Sequence, residues 1–156
     1  MATQSQLRTT APGVAGAQRG KKKRLLLVMN REEMRRLRAI LKPLRAAIDW
    51  AVDLDSARVA MDAPTLYDAI VVDDRLAQNG WQDVMNAAGE LGVKAPFLVC
   101  TNLPRADEFL TQSKKTFIAD LLMRPYVDHL VQQRVQHALD TDQTEPYTGA
   151  TIPSHQ

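Results

Sequence analysis

The chain has one cysteine, no apolar run long enough to cross a bilayer, and no acidic residue among its first 24. A single cysteine excludes an internal disulfide framework and any cysteine-based zinc cluster. Cys100 lies in the apolar run Phe97-Leu98-Val99-Cys100, so it reads as a buried structural thiol rather than a nucleophile. With no spanning segment, and no apolar core ahead of the basic run near the N-terminus, the expectation is a cytoplasmic protein without membrane insertion. A glycine-rich phosphate loop is also missing. Gly13, Gly16 and Gly20 precede the first strand candidate and cannot form a strand-to-helix turn. Ser56 and Ser113 lack the setting of a nucleophile elbow and Cys100 reads as interior, so a serine or cysteine hydrolase is not expected.

The charge that is present is unevenly placed. Residues 1–24 hold six of the 20 basic residues, which leaves 14 basic against 18 acidic residues in the remainder. A body with excess negative charge is a poor general nucleic-acid binder. The cluster Arg19 to Arg24 is either a solubilising flank, the larger expectation, or a salt-sensitive contact for phosphates or an anionic surface.

The 156 residues allow one domain with a full core. Residues 1–22 form a basic tail rich in Thr, Gln, Ala and Gly, and residues 141–156 lack periodicity; both are expected to be disordered. Between them, over 23–140, short apolar runs alternate with helical periodicity. Strand candidates are Leu25–Met29, Ile48–Val52, the run ending at Val72 or Asp73, Phe97–Cys100 and Ile118–Met123. Asn30, followed by Glu33, resembles a capping box ahead of a stripe at Met34, Leu37 and Leu41. Asp55 or Ser56 caps a helix through Met61, Trp81–Leu91 is another, and Gly92 terminates it in the left-handed region. A weaker helix runs from Pro104 to Gln112, and Val127, Leu130, Val131, Val135 and Ala138 mark the last. Five alternations with short connections predict a three-layer α/β/α sandwich around a five-stranded parallel sheet.

In such sheets ligands bind at the carboxyl ends of the strands. Three groups converge there: Asp73, Thr101 and Arg124. A carboxylate, a hydroxyl and a cation suit the handling of a phosphoryl group, as acceptor, hydrogen-bond donor and counter-charge. Each has an ordinary structural alternative, since Asp and Thr often end strands through turns and caps. Trp50 and Trp81 read as structural or as interface anchors, and His129, His137 and His155 as surface residues. Arg35, Arg36 and Arg38 read as a solvated basic helix face by default, or as a docking face for an acidic partner.

With these residues in place, residues 24–139 resemble the receiver domains of bacterial two-component response regulators, a (βα)5 flavodoxin-like fold used in signal transduction and phosphorelay. Asp73, after Tyr67-Asp68-Ala69-Ile70-Val71-Val72, matches the phosphate-accepting aspartate, and Thr101 matches the switch hydroxyl ending strand four. Arg124-Pro125-Tyr126 matches a lysine-proline-aromatic signature, with arginine for lysine. Val28-Met29-Asn30 falls where the family places an acidic pair that holds magnesium. Neither acid is present: Met29 offers a poor sulfur ligand and Asn30 a neutral amide oxygen. Arg124 either keeps the counter-charge role of the lysine or pairs with Asp73 permanently. Asp74 counts as a further residue of this possible pocket, although its side chain is expected to leave the opposite side of the strand. The loop from Asp74 to Gly80 lacks the family's proline, and the aromatic that reorients in strand five is replaced by Leu121.

The resemblance therefore implies a degenerate receiver, or pseudo-receiver, that works by binding proteins without a cofactor. Its expected interaction face includes Phe109, Leu121, Tyr126 and Leu130. Residues 140–156 are too few for an output domain. Output is then expected through a partner: a histidine kinase, another signalling protein or a second copy of the chain. The alternative is a single-domain response regulator phosphorylated on Asp73 by a histidine kinase or phosphorelay, with weak magnesium binding. Nucleic acid ranks below both.

Overall fold

Strands that alternate faces residue by residue, and helices apolar along one stripe, bury those surfaces only by stacking in layers. The computed structural model describes residues 22–64, 66–76, 80–102 and 118–141. Its strands are β1 (Arg24–Val28), β2 (Ala47–Ala51), β3 (Ala69–Asp73), β4 (Phe97–Asn102) and β5 (Ile118–Arg124). They form one parallel sheet in the order β2-β1-β3-β4-β5. Its helices are α1 (Arg31–Leu41), α2 (Leu54–Asp62), α3 (Gly80–Glu90) and α4 (Asp128–Leu139). The expected helix Pro104–Gln112, with Phe109, lies outside the described residues. So do the expected tails, apart from Lys22 and Thr141.

Two apolar clusters fill the spaces between layers. On one face Leu26, Val28, Ile70, Val72, Phe97 and Val99 meet Ala57 and Met61 of α2 and Trp81, Val84 and Ala87 of α3. On the other, Leu25, Leu27, Met29, Val71, Leu98 and Cys100 meet Met34, Leu37 and Leu41 of α1 and Val131, Val135 and Leu139 of α4. The α1 stripe falls where its periodicity predicts. In α4, Val127 and Leu130 are instead 46% and 41% exposed. Asp128 opens α4, so Val127 sits at its N-cap, and Leu130 turns away from the face that carries Val131 and Val135.

Local chemistry sets the helix ends. Asp53, rather than Asp55 or Ser56, caps α2: its carboxylate accepts from the Ser56 N–H while Ser56 Oγ accepts from the Asp53 N–H. Gly92 follows α3 with φ +75°, and the Val93 N–H reaches back to the Ala88 carbonyl.

One irregularity positions the site. Phe97 pairs with Ile118 but Leu98 pairs with Asp120, so β5 holds one extra residue at a bulge. Strict alternation would put Ile118, Leu122 and Arg124 on one face. The bulge leaves Ile118 against α2 and α3 and turns Leu122, and with it Arg124, toward the α1 and α4 face that Asp73 shares with Val71. Among the described residues no helix is long and apolar enough to cross a membrane.

Leu27 is fully buried on β1, a strand paired along both edges. Leu27→Ala should lower the unfolding free energy by about 2–5 kcal/mol, measured as a drop in urea midpoint with an unchanged slope.

Candidate functional site

At the carboxyl-terminal rim of the sheet a single guanidinium joins four elements. Arg124 Nη1 lies 3.1 Å from Asp73 Oδ1 and 3.3 Å from Glu33 Oε2. Its Nη2 lies 2.8 Å from Asp74 Oδ1, and Nε donates to Asn102 Oδ1 at 2.7 Å. Arg124, Glu33, Asp73 and Asp74 are all buried. A second cation, Arg75, closes the mouth. Its backbone N–H donates to Asp73 Oδ1 at 2.9 Å, and Nη2 reaches Asp73 Oδ2 at 3.2 Å and Glu33 Oε1 at 3.1 Å. Arg36, one turn along α1, also meets Glu33 Oε1 at 3.1 Å. Three buried carboxylates thus face three arginines. Buried ions are stable only when paired and hydrogen-bonded in this way.

The groups singled out in the sequence fall as follows. Asp73 ends β3 and is held by Arg124 and Arg75. Thr101 donates to Asp74 Oδ2 at 2.7 Å, not to Asp73. Asp74 takes the Thr101 side of the strand, opposite Asp73. It lies in the turn after β3, and Arg124 reaches over the rim so that one nitrogen meets Asp73 and the other Asp74. Asn30 caps α1, its Oδ1 accepting from the Glu33 N–H at 2.8 Å. Glu33 does not complete a capping box; its carboxylate turns into the cluster. The Met29 side chain is wholly buried in the core, and its carbonyl accepts from Trp50 Nε1 at 2.8 Å. Tyr126, expected on an interaction face, points inward and donates its hydroxyl to Glu33 Oε2. Leu121 is partly buried against the α2 and α3 side, and Leu130 is exposed.

Glu33 and Arg75 were not among the candidates. Glu33 carried a readable signal: it precedes Leu37 by four residues, which places a carboxylate beside the buried stripe of α1. Arg75 had none, because its role depends on the turn after β3.

The electrostatics follow from this packing. Burial alone would raise the Asp73 pKa, but hydrogen bonds from Arg75 and the charges of Arg124 and Arg75 outweigh it and hold the group below the usual carboxylate range. Burial disfavours the charge on Arg124, yet Asp73 and its other partners raise its pKa further. Burial, the neighbouring Cys100 and the bond to Glu33 push Tyr126 upward, so its hydroxyl stays a donor. Cys100, wholly buried, is pushed up to about 12, chiefly by desolvation.

The resemblance implies a magnesium ion beside positions 29, 30 and 73, and this donor set does not fit one. Magnesium takes oxygen ligands in octahedral geometry, mainly from carboxylates. Met29 has no side-chain oxygen, the Asn30 oxygen is engaged at the helix cap, and both Asp73 oxygens already face guanidinium nitrogens.

Removing the central cation should therefore be costly. Arg124→Met would leave three buried carboxylates short of a partner and lower stability by about 3–5 kcal/mol, read from the urea midpoint at pH 7. The Asp73 pKa is lower folded than unfolded, where it is ~3.9. Its contribution to stability is complete above the unfolded value and lost as pH falls through the folded value. The acid loss of stability below about pH 4 should be shallower in Asp73→Asn, measured by urea unfolding at several pH values.

No protein-family model matches the sequence, and no curated protein matches it significantly. Solved structures do match in shape. The non-phosphorylated HemR receiver domain from Leptospira biflexa aligns with a TM-score of 0.66 and 23% identity, over 81% of this chain and 100% of that one. The receiver domain of a sensor histidine kinase from Pseudomonas aeruginosa, which has magnesium coordinated in its active-site cleft, gives 0.65 and 20% over 77% and 99%. An adenylate cyclase from Rhodopirellula baltica gives 0.67 and 15% over 86% and 96%. What the chain shares with these proteins is the fold, the five-stranded parallel sheet of flavodoxin-like receiver domains.

Proposed function

We propose that the chain is a receiver-like signalling module that acts through protein–protein contacts, without a cofactor and without conventional magnesium-dependent phosphorylation of Asp73. The fold and the rim residues carry the receiver part of this reading. The second part rests on one observation: the Arg124 guanidinium sits between Asp73 and Asp74, where it is also bonded to Glu33 and Asn102.

Phosphoryl transfer to a carboxylate brings anionic oxygens together and needs a mobile counter-charge, usually a metal ion. Here the counter-charge is built into the chain and already committed to the acceptor. A guanidinium cannot lose its proton to free the carboxylate. Thr101 spends its only hydroxyl proton on Asp74. The same contacts hold the pocket in one arrangement, so partner binding is constitutive in this reading. Its partner is a histidine kinase, another signalling protein or a second copy of the chain.

The competing reading, phosphorylation of Asp73 by a histidine kinase or phosphorelay, draws support from Arg75. That side chain is half exposed, and its departure would open a path to Asp73. Intact-mass measurement of the full chain after incubation with a small phosphodonor and magnesium separates the two. No gain is expected. A stable gain of one phosphoryl group, lost in Asp73→Asn, would establish the competing reading instead.

A further inference from the structure

A second surface lies away from the rim pocket and does not depend on how that pocket works. Among the described residues the edge strand β2 pairs only with β1. Ala47 N–H donates inward to the Lys23 carbonyl, and the Ala51 carbonyl accepts from Met29 N–H. In a parallel strand, inward-bonding residues alternate with outward-facing ones. The backbone groups of Ile48 and Trp50 therefore point away from the sheet.

The side chains of those same two residues lie on the α1 side. Ile48 packs on the α1 cluster, and Trp50, 40% exposed, hydrogen-bonds above β1. Between this strand and α1 runs an open groove of about 500 Å³, with Ile48 in its wall and Arg35, Arg38 and Lys42 along its border. These three cations fall at i, i+3 and i+7, on one stripe of the helix and its continuation. Among the described residues none of the three has an ion pair and no carboxylate lines the groove. Asp49 is turned to the opposite face, where it meets Arg24 and Tyr67. The other flank of α1 is covered by α4, through the bond from Gln132 Nε2 to the Ile40 carbonyl.

The geometry points to this edge as a docking site for an extended, acidic segment of a partner protein, which adds a strand beside β2. Main-chain bonds to Ile48 and Trp50 supply affinity, apolar side chains cover those two residues, and carboxylates meet Arg35, Arg38 and Lys42. Charge complementarity selects this occupant. A second copy pairing antiparallel along the same edge would bring two basic α1 borders together, which electrostatics opposes. A basic segment is opposed for the same reason.

The test titrates the full isotope-labelled chain with a synthetic peptide of repeated Val-Thr-Glu-Thr units. As a strand, this peptide presents valine and glutamate alternately on one face. Amide shifts and slowed hydrogen exchange should centre on Ile48 and Trp50. Affinity should fall at least tenfold in R35E/R38E, whose urea midpoint should match that of the parent. The Lys-for-Glu peptide should not bind. The proposal is overturned by no response at millimolar peptide, by a response centred elsewhere, or by equal binding of the lysine peptide. It is also overturned if sedimentation shows that the chain already self-associates through β2.

Discussion

The rim of this sheet depends on one guanidinium. Three carboxylates from two elements and a turn are buried together there, and such a cluster is unstable unless its charge is matched at hydrogen-bond distance. Arg124 supplies the match with a planar fork. Its three nitrogens serve Glu33 and Asp73, Asp74, and Asn102 in turn. A lysine at this position would offer one compact ammonium on a flexible stem. It could not span Asp73 and Asp74 while also anchoring to β4, so the exchange of arginine for lysine is not conservative here.

Reaching that position requires the irregular pairing of β4 and β5. One additional residue near Ala119 reverses the facing of everything beyond it, so Leu122 enters the core beside α4 and Arg124 arrives over Asp73. The neutralised pocket thus rests on a backbone feature some five residues away from the charge it places. The short span from Arg124 to Tyr126 adds a second tie, because the Tyr126 hydroxyl holds the same Glu33 carboxylate that Arg124 and Arg75 engage.

Much of the architecture was legible in the sequence because it follows from periodicity. The apolar runs gave all five strands to within a residue at most ends, and Met34, Leu37 and Leu41 gave the buried face of α1. The convergence of Asp73, Thr101 and Arg124 on one edge follows from parallel strands alone. Pairing within that edge was less accessible. The bulge has no local marker, the turn after β3 decides where Asp74 and Arg75 point, and Glu33 obeys a capping pattern while its side chain serves the pocket. Hydrophobic spacing reports which face a residue occupies; it does not report which of several nearby charges it will choose.

Charge closure at the rim also bears on where this fold can communicate. A pocket that carries its own counter-ions has little left to gain from an added anion, because any newcomer must displace a contact already made in a low-dielectric setting. The basic border of α1 is in the opposite condition. Arg35, Arg38 and Lys42 are exposed, lie next to an edge strand with outward-facing backbone, and face no carboxylate among the described residues of the groove they line. Association there replaces water and counter-ions rather than intramolecular bonds. The two surfaces sit on the same helix, with Glu33 turned into the pocket and Arg35 and Arg38 turned out of it. The proposed docking at the edge would thus bear on the same helix that supplies Glu33 to the pocket.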